Sequence, residues 1–226
     1  MKRLFTSILL VSISLHNLAQ KQESGDVPVE LEFSPLGANP LKISSIRTRY
    51  FVSDNLAYRI GLFAGGSRKP SYTEVNNIEL VNSTRNFNFT LRPGIEKHFK
   101  GTRNLSPYYG GELSYSFKKD VTSSESAWTS NTNEIKTQKN KSTNSTFGIN
   151  LFTGADFYIT NKIFLGVEIG FGLQYEGRGR SSVSWKNPET NSDANSKEIG
   201  NSASFQWGPN YQGTIRLGYC LNNYKK

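Results

Sequence analysis

Apolar and polar residues alternate with a period of two along most of this chain. The clearest case is Ile43 to Gly66, ISSIRTRYFVSDNLAYRIGLFAGG. β-Branched and aromatic residues flank Ser53-Asp54-Asn55, a cluster that favours a tight turn, so the stretch predicts two strands joined as a hairpin. Ile46, Thr48, Tyr50 and Val52 share one face of the first strand; Leu56, Tyr58, Ile60, Leu62 and Ala64 share one face of the second. The opposite faces carry Arg47, Arg49 and Phe51, then Ala57, Arg59, Gly61, Phe63 and Gly65. A solvated sheet face usually carries short polar residues, whereas this one is rich in arginine and glycine. A barrel wall with lipid outside and a charged, glycine-relieved interior accounts for it better.

The same period recurs along the chain. Val27 to Ser34 sets Val29, Leu31 and Phe33 against Glu30 and Glu32, and Pro35 to Pro40 reads as a loop. After the hairpin, Ser67 to Ser83 is polar and is expected to be a loop. Arg85 to Phe99 places Phe87, Phe89, Leu91, Pro93 and Ile95 on one face, with Asn88, Thr90, Arg92, Gly94, Glu96 and His98 on the other. Pro93 suggests an edge or bulge, because proline has no ladder donor. A short connection, Lys100 to Ser106, precedes a strand in which Tyr109, Leu113, Tyr115 and Phe117 alternate with Tyr108, Gly110, Glu112 and Ser114.

Lys118 to Ser145 is rich in Ser, Thr, Asn and Lys, without apolar period, and is expected to be a long mobile loop. Phe147 to Ile159 then sets Ile149, Leu151, Ala155 and Phe157 against Asn150, Gly154 and Asp156. Past a tight turn at Asn161-Lys162, Ile163 to Glu176 sets Leu165, Val167, Ile169, Phe171 and Leu173 against Gly166, Glu168, Gly170 and Gly172. Gly177 to Asn201 is a third polar loop. The last strand, from Phe205, sets Trp207, Ile215, Leu217 and Tyr219 against Gln206, Thr214 and Arg216.

The count is eight, and short connections alternate with mostly long ones. The predicted fold is all-β, an eight-stranded antiparallel up-and-down transmembrane β-barrel with short periplasmic turns and long external loops. Strands of about 9 to 11 residues cross the hydrocarbon layer when tilted.

Composition changes this picture little. Hydrophobic residues make up 35% of the 226, but a barrel needs them only at alternate positions. No run reaches the ~18 apolar residues of a spanning helix. Lys2 and Arg3, the apolar segment to Leu15 and Ala19 before Gln20 have the form of a signal peptide over residues 1–19, leaving 20–226 as the barrel domain. Its removal lowers the formal charge from +9 to +7, since Lys2 and Arg3 leave with no acid. The single cysteine, Cys220, admits no internal disulfide and is expected to be a small wall residue.

With the polar faces turned inward, Glu30, Glu32, Glu96, Glu112, Asp156, Glu168 and Glu176 gather beside Arg47, Arg49, Arg59, Arg92 and Arg216. Enclosed charges must be paired and hydrogen-bonded, because isolated ones cost several kcal/mol. Glu30 and Glu32 are expected to face Arg47 and Arg49, with Arg216 reaching the first strand across the closure. A plugged polar core is predicted rather than an open pore, since eight strands leave room for little beyond side chains.

The RYFVSDNLAYRIGL hairpin, the eight alternating segments and the closing TIRLGYCL strand together resemble the small outer-membrane β-barrel proteins of Gram-negative bacteria, the OmpA/OmpX-like class. The resemblance covers Val27 to about Leu221. It implies location in the bacterial cell outer membrane and a non-enzymatic role in envelope integrity or at the cell surface. Outer-membrane lipid and lipopolysaccharide are the implied partners, with the barrel-assembly machinery during biogenesis. Members of the class usually end on an aromatic residue; Leu221 stands there in this chain, followed by five more residues.

No catalytic set, metal-ligand spacing or phosphate loop stands out, and no cofactor is expected. His98, the only histidine after residue 19, lies beside Glu96 near a predicted periplasmic turn. Two alternatives remain open. One is a lipid A-modifying outer-membrane barrel enzyme using that histidine, the other a secreted soluble lipocalin-like barrel that binds an apolar ligand. The second would require the opposite facing, with the charges outside. Basic residues in the polar loops, among them Arg68, Lys69, Lys118, Lys119, Lys139, Lys141 and Arg178, suit either solubility or lipopolysaccharide phosphates. Export and the lack of a binding module weigh against nucleic acid, and no surface ligand is identified.

Overall fold

A computed structural model describes residues 21–33, 43–75, 78–129, 132–179, 181–186 and 197–221. The predicted leader and the predicted loop Pro35 to Pro40 lie outside the described residues.

Ten strand segments form: β1 (Pro28–Phe33), β2 (Ile43–Ser53), β3 (Leu56–Val75), β4 (Ile78–His98), β5 (Leu105–Thr129), β6 (Thr132–Tyr158), β7 (Ile163–Arg178), β8 (Ser181–Lys186), β9 (Lys197–Ile199) and β10 (Ser202–Cys220). Eight of them close into a ring: β1 to β7 pair in chain order, β7 pairs with β10, and β10 returns to β1, all antiparallel. Closure leaves no edge in the ring. β8 continues along β6 above the end of β7, and β9 pairs with β8.

The predicted strand cores and facing match the structure. Leu165, Val167 and Ile169 point outward at 42%, 57% and 62% exposure, whereas Arg49 is 1% and Glu168 9% exposed. The ladder from β4 to β5 skips Arg92 and Pro93, then resumes in the same register. Proline's missing donor is thus absorbed within a ring strand, and the β3–β4 register runs unbroken through Ile60↔Pro93.

The three predicted polar loops are corrected. Ser67 to Ser83 is the paired end of β3 and β4, in unbroken register to Val75↔Ile78. Lys118 to Ser145 is a ladder as well, from Lys118↔Asn144 to Ala127↔Ile135 and on to Thr129↔Thr132. Gly177 to Asn201 contains β8 and β9. Hydrophobic period arises where one face of a strand is continuously apolar, and these arms, in which Leu80 alone is a buried hydrophobic among the described residues, have no such face. Their backbone groups still satisfy one another across the ladder, which Ser, Thr and Asn do not oppose. β5 also starts earlier than expected, so Ser106 is a strand residue.

Inside the ring, small residues admit large ones. A Cβ on Gly218 would collide with the Phe164 ring, and one on Gly166 would lie 2.6 Å from Arg216 Nη2 and 2.7 Å from Asp156 Oδ1. Glycine at these positions is required by close approach, not by backbone conformation.

Candidate functional site

All eleven residues predicted for the interior charge network lie inside the ring and in contact with one another. Glu30, Glu32, Arg47, Arg49, Arg59, Glu96, Glu112, Asp156, Glu168 and Arg216 are buried. Arg92 is partly open, its side chain 18% exposed. The inward parity of each strand places them, and the register decides who meets whom.

On β1 and β2, Glu30 stands directly opposite Arg47, yet the ion pairs run diagonally, Arg49 to Glu30 and Arg47 to Glu32. Diagonal neighbours on one face lie within reach of long side chains. Across the closure, Arg216 Nη1 donates to Glu30 Oε2 at 2.7 Å and its Nη2 to Asp156 Oδ1 at 2.8 Å. The expected contact from the last strand to the first is therefore present.

Glu168 is the hub on the other side. Its carboxylate accepts from Arg47 Nη1 at 3.0 Å, from Arg59 Nη1 at 2.8 Å and from the Tyr108 hydroxyl at 2.9 Å. Arg59 also donates to Glu96 Oε1 at 2.9 Å and pairs with Glu112. Arg49 Nη1 donates to Glu96 Oε2 at 3.1 Å and Asp156 Oδ2 at 2.7 Å. At the end nearer β1's Phe33, Arg92 reaches Glu32 and Ser45. Glu176 stands apart, accepting from Asn144 Nδ2 at 3.1 Å.

Aromatic rings complete the enclosure. The Arg59 guanidinium lies 3.4 Å from the Phe152 centroid, Arg49 lies 5.0 Å from that of Phe164, and Arg216 lies 5.2 Å from that of Tyr108. Such stacking favours arginine over lysine, because the guanidinium is planar and weakly hydrated. Phe152, Tyr158 and Phe164 carried no assigned role in the sequence reading. Parity was the available signal: each shares the inward face with Asp156 or Gly166. Toward the short-turn end, Tyr158 packs on Phe164 and hydrogen-bonds Gln22. Cys220 is buried on the inward face.

His98 has a more specific setting than sequence showed. Its Nδ1 lies 3.0 Å from Ser106 Oγ, and its Nε2 lies 3.2 Å from Glu96 Oε2. A serine, histidine and carboxylate thus stand in line, but with the ring nitrogens exchanged relative to a catalytic triad, in which Nε2 meets the serine and Nδ1 the carboxylate. Ser106 is also only 3% exposed, and Glu96 is already shared by Arg49 and Arg59. His98 itself packs against the tilted rings of Phe51 and Tyr108, at centroid distances of 5.0 Å and 5.1 Å. Among the described residues, no group of three or more His, Cys, Asp or Glu is placed to hold a metal ion.

The outer wall has the opposite character. Leu151, Val167 and Trp207 are 66%, 57% and 73% exposed. Around this wall, Tyr50, Tyr58, Phe99, Tyr109 and Tyr219 mark the short-turn end of the apolar band, while Phe87, Phe147, Tyr175 and Phe205 mark the other.

No curated protein and no solved structure matches this chain. The model of the OmpA-OmpF-like porin family matches residues 37–183, from before β2 into β8. The match spans more than half of the sequence, and the chain accordingly belongs to the OmpA-OmpF-like porin family.

Proposed function

We propose that this protein is an integral barrel of the Gram-negative outer membrane, with a plugged interior and a structural or surface-interaction role rather than a catalytic one. The observation that carries this reading is the inversion of polarity: large apolar side chains cover the outside while arginines and carboxylates fill the inside. From Phe147 to Phe157 the outward face of β6 climbs about 26 Å, at ~3.4 Å per residue and a tilt of ~40°. That height fits the apolar band of outer-membrane barrels, ~25 Å between aromatic girdles. The termini and short turns would then face the periplasm, and the paired arms the outside.

Fractionation tests the proposal. The protein should sediment with the outer membrane, require detergent for extraction, and migrate differently in gels before and after boiling. Recovery in the soluble fraction without detergent would reject it in favour of a secreted barrel.

A second reading, a lipid A-modifying enzyme, draws support from the Ser106, His98 and Glu96 chain alone. Against it stand the burial of Ser106 and its place at the short-turn end, far from an outer leaflet. Purified protein should release no acyl chain from lipid A. Hydrolysis that vanished in both His98→Ala and Ser106→Ala, with the barrel still folded, would reinstate the enzyme.

A further inference from the structure

Inside the ring, like charges that face each other share a carboxylate. On the outside of β3 and β4, Arg68 and Arg85 stand directly opposite each other with none. The same row continues through Val121 on β5 to Lys141 on β6, and Lys119 lies one outward position below, opposite Phe87 and Thr143. All four cations are exposed. Among the described residues none of the four has a carboxylate partner, unlike Lys118 and Arg178, which lie 3.2 Å and 3.9 Å from Asp120 and Glu176. Like charges in direct opposition destabilise a ladder unless an anion lies between them.

Beside this ledge the wall is indented. A groove of about 460 Å³ is lined by Phe117, Thr143, Ser145, Tyr175, Gly177 and Ala203, among others. Ser145 pairs with both Phe117 and Gly177, and Gly177 with Ala203. The groove is therefore a row of small residues with Phe117 at one end and Tyr175 one outward position below, and its volume lies in the range of ligand sites. Lys119 stands opposite Thr143, and Lys141 is the next outward residue along β6, so cations flank its upper rim.

We infer that this groove and ledge bind one molecule of lipid A from outside the barrel. Its phosphates would meet Lys119, Lys141 and Arg85, and its less polar body would lie between Phe117 and Tyr175. The inference rests on the outer-membrane reading, since only there does this wall meet that lipid. A bare apolar belt would hold any acyl chain, and a bare basic patch any anion. Their adjacency calls for a phosphorylated glycolipid.

The test uses full-length protein folded in detergent micelles, its folded state verified by heat-modifiable migration. Native mass spectrometry would follow added bisphosphorylated lipid A, dephosphorylated lipid A and phosphatidylglycerol. Wild type should retain the bisphosphorylated form preferentially. The triple variant Arg85→Gln, Lys119→Gln, Lys141→Gln should bind it at least about tenfold more weakly. Lys118→Gln, which removes a cation from the inward-facing set, should bind as wild type does. Gly177→Leu should block the groove without straining the wall, because a Cβ there meets only Ser145 O, at 3.8 Å. Equal retention of the dephosphorylated lipid or of phosphatidylglycerol would overturn the inference, as would undiminished binding by the folded triple variant. Either failure leaves the outer-membrane assignment standing, because that depends on fractionation.

Discussion

Arg49 and Arg59 stand directly opposite each other on β2 and β3, and Glu96 holds both, one oxygen to each, at 3.1 Å and 2.9 Å. Two guanidinium groups in cross-strand register repel, so the ladder at this point depends on a carboxylate supplied by the next strand. Glu168, Glu112 and Asp156 also each meet two guanidinium groups, though of arginines that are not directly opposite in register. The network is therefore a condition for assembling the wall in this register, and six carboxylates against five guanidinium groups leave little slack.

Neutralising that bridge should be expensive. Glu96→Gln keeps the shape but leaves Arg49 and Arg59 facing each other, and breaking a buried pair costs about 3 to 5 kcal/mol. The urea midpoint of the micelle-folded protein should fall accordingly. Glu176→Gln, whose side chain is 30% exposed, should shift it by no more than about 1 kcal/mol. Equal shifts for the two variants would mean that the interior network does not hold the ring.

Close packing of this network makes a second position sensitive. Gly166→Ala drives a methyl group into Arg216 and Asp156, and overpacking typically costs about 1 to 3 kcal/mol. Gly111→Ala is the matched control, because its Cβ would meet Leu151 Cδ2 at an ordinary 3.5 Å. The first variant should refold in lower yield, the second as wild type does. Equal yields would show that the interior has room to spare.

The fold was legible where one face of a strand is chemically distinct from the other. Val167 and Glu168, or Leu217 and Arg216, reveal their sides by alternation alone, and the network's membership follows from parity. Pairing within the network was less accessible, because Glu30 meets Arg49 diagonally and not Arg47 across the ladder. The arms were misread for a physical reason. Val121 to Ser126 carry no residue buried like those of the ring, so nothing imposes a period although the backbone groups pair. His98 was visible as a residue, but Ser106 became its partner only through the earlier start of β5.

A charge on the outer wall separates a bilayer from water. Val167→Arg introduces a cation into the middle of the apolar band, where it costs about 2 to 4 kcal/mol if lipid surrounds the barrel. In water the same change at a 57% exposed residue would fall within about 0.5 kcal/mol. Folding into phospholipid vesicles, followed by urea titration, measures the difference. A neutral outcome would argue against a lipid-facing wall at β7.

Amide exchange can settle whether the β5 and β6 arm behaves as a ladder. Amides from Val121 to Ala127 are paired with Ile135 to Lys141 but lack the ion network that fills the ring below. Local opening sets their exchange, so they should be slower than unstructured chain yet faster than the amides of Glu96 or Asp156. Thr122 is paired on both sides, with Thr84 and Asn140. Thr122→Pro removes a donor from the middle of this sheet and should bring the surrounding arm to the rate of free chain. The ring should not notice: its refolding yield and its urea midpoint depend on charges and glycines several residues nearer the short turns. Unprotected exchange throughout Val121 to Ala127 in the parent protein would return this segment to the mobile loop that its composition alone suggests.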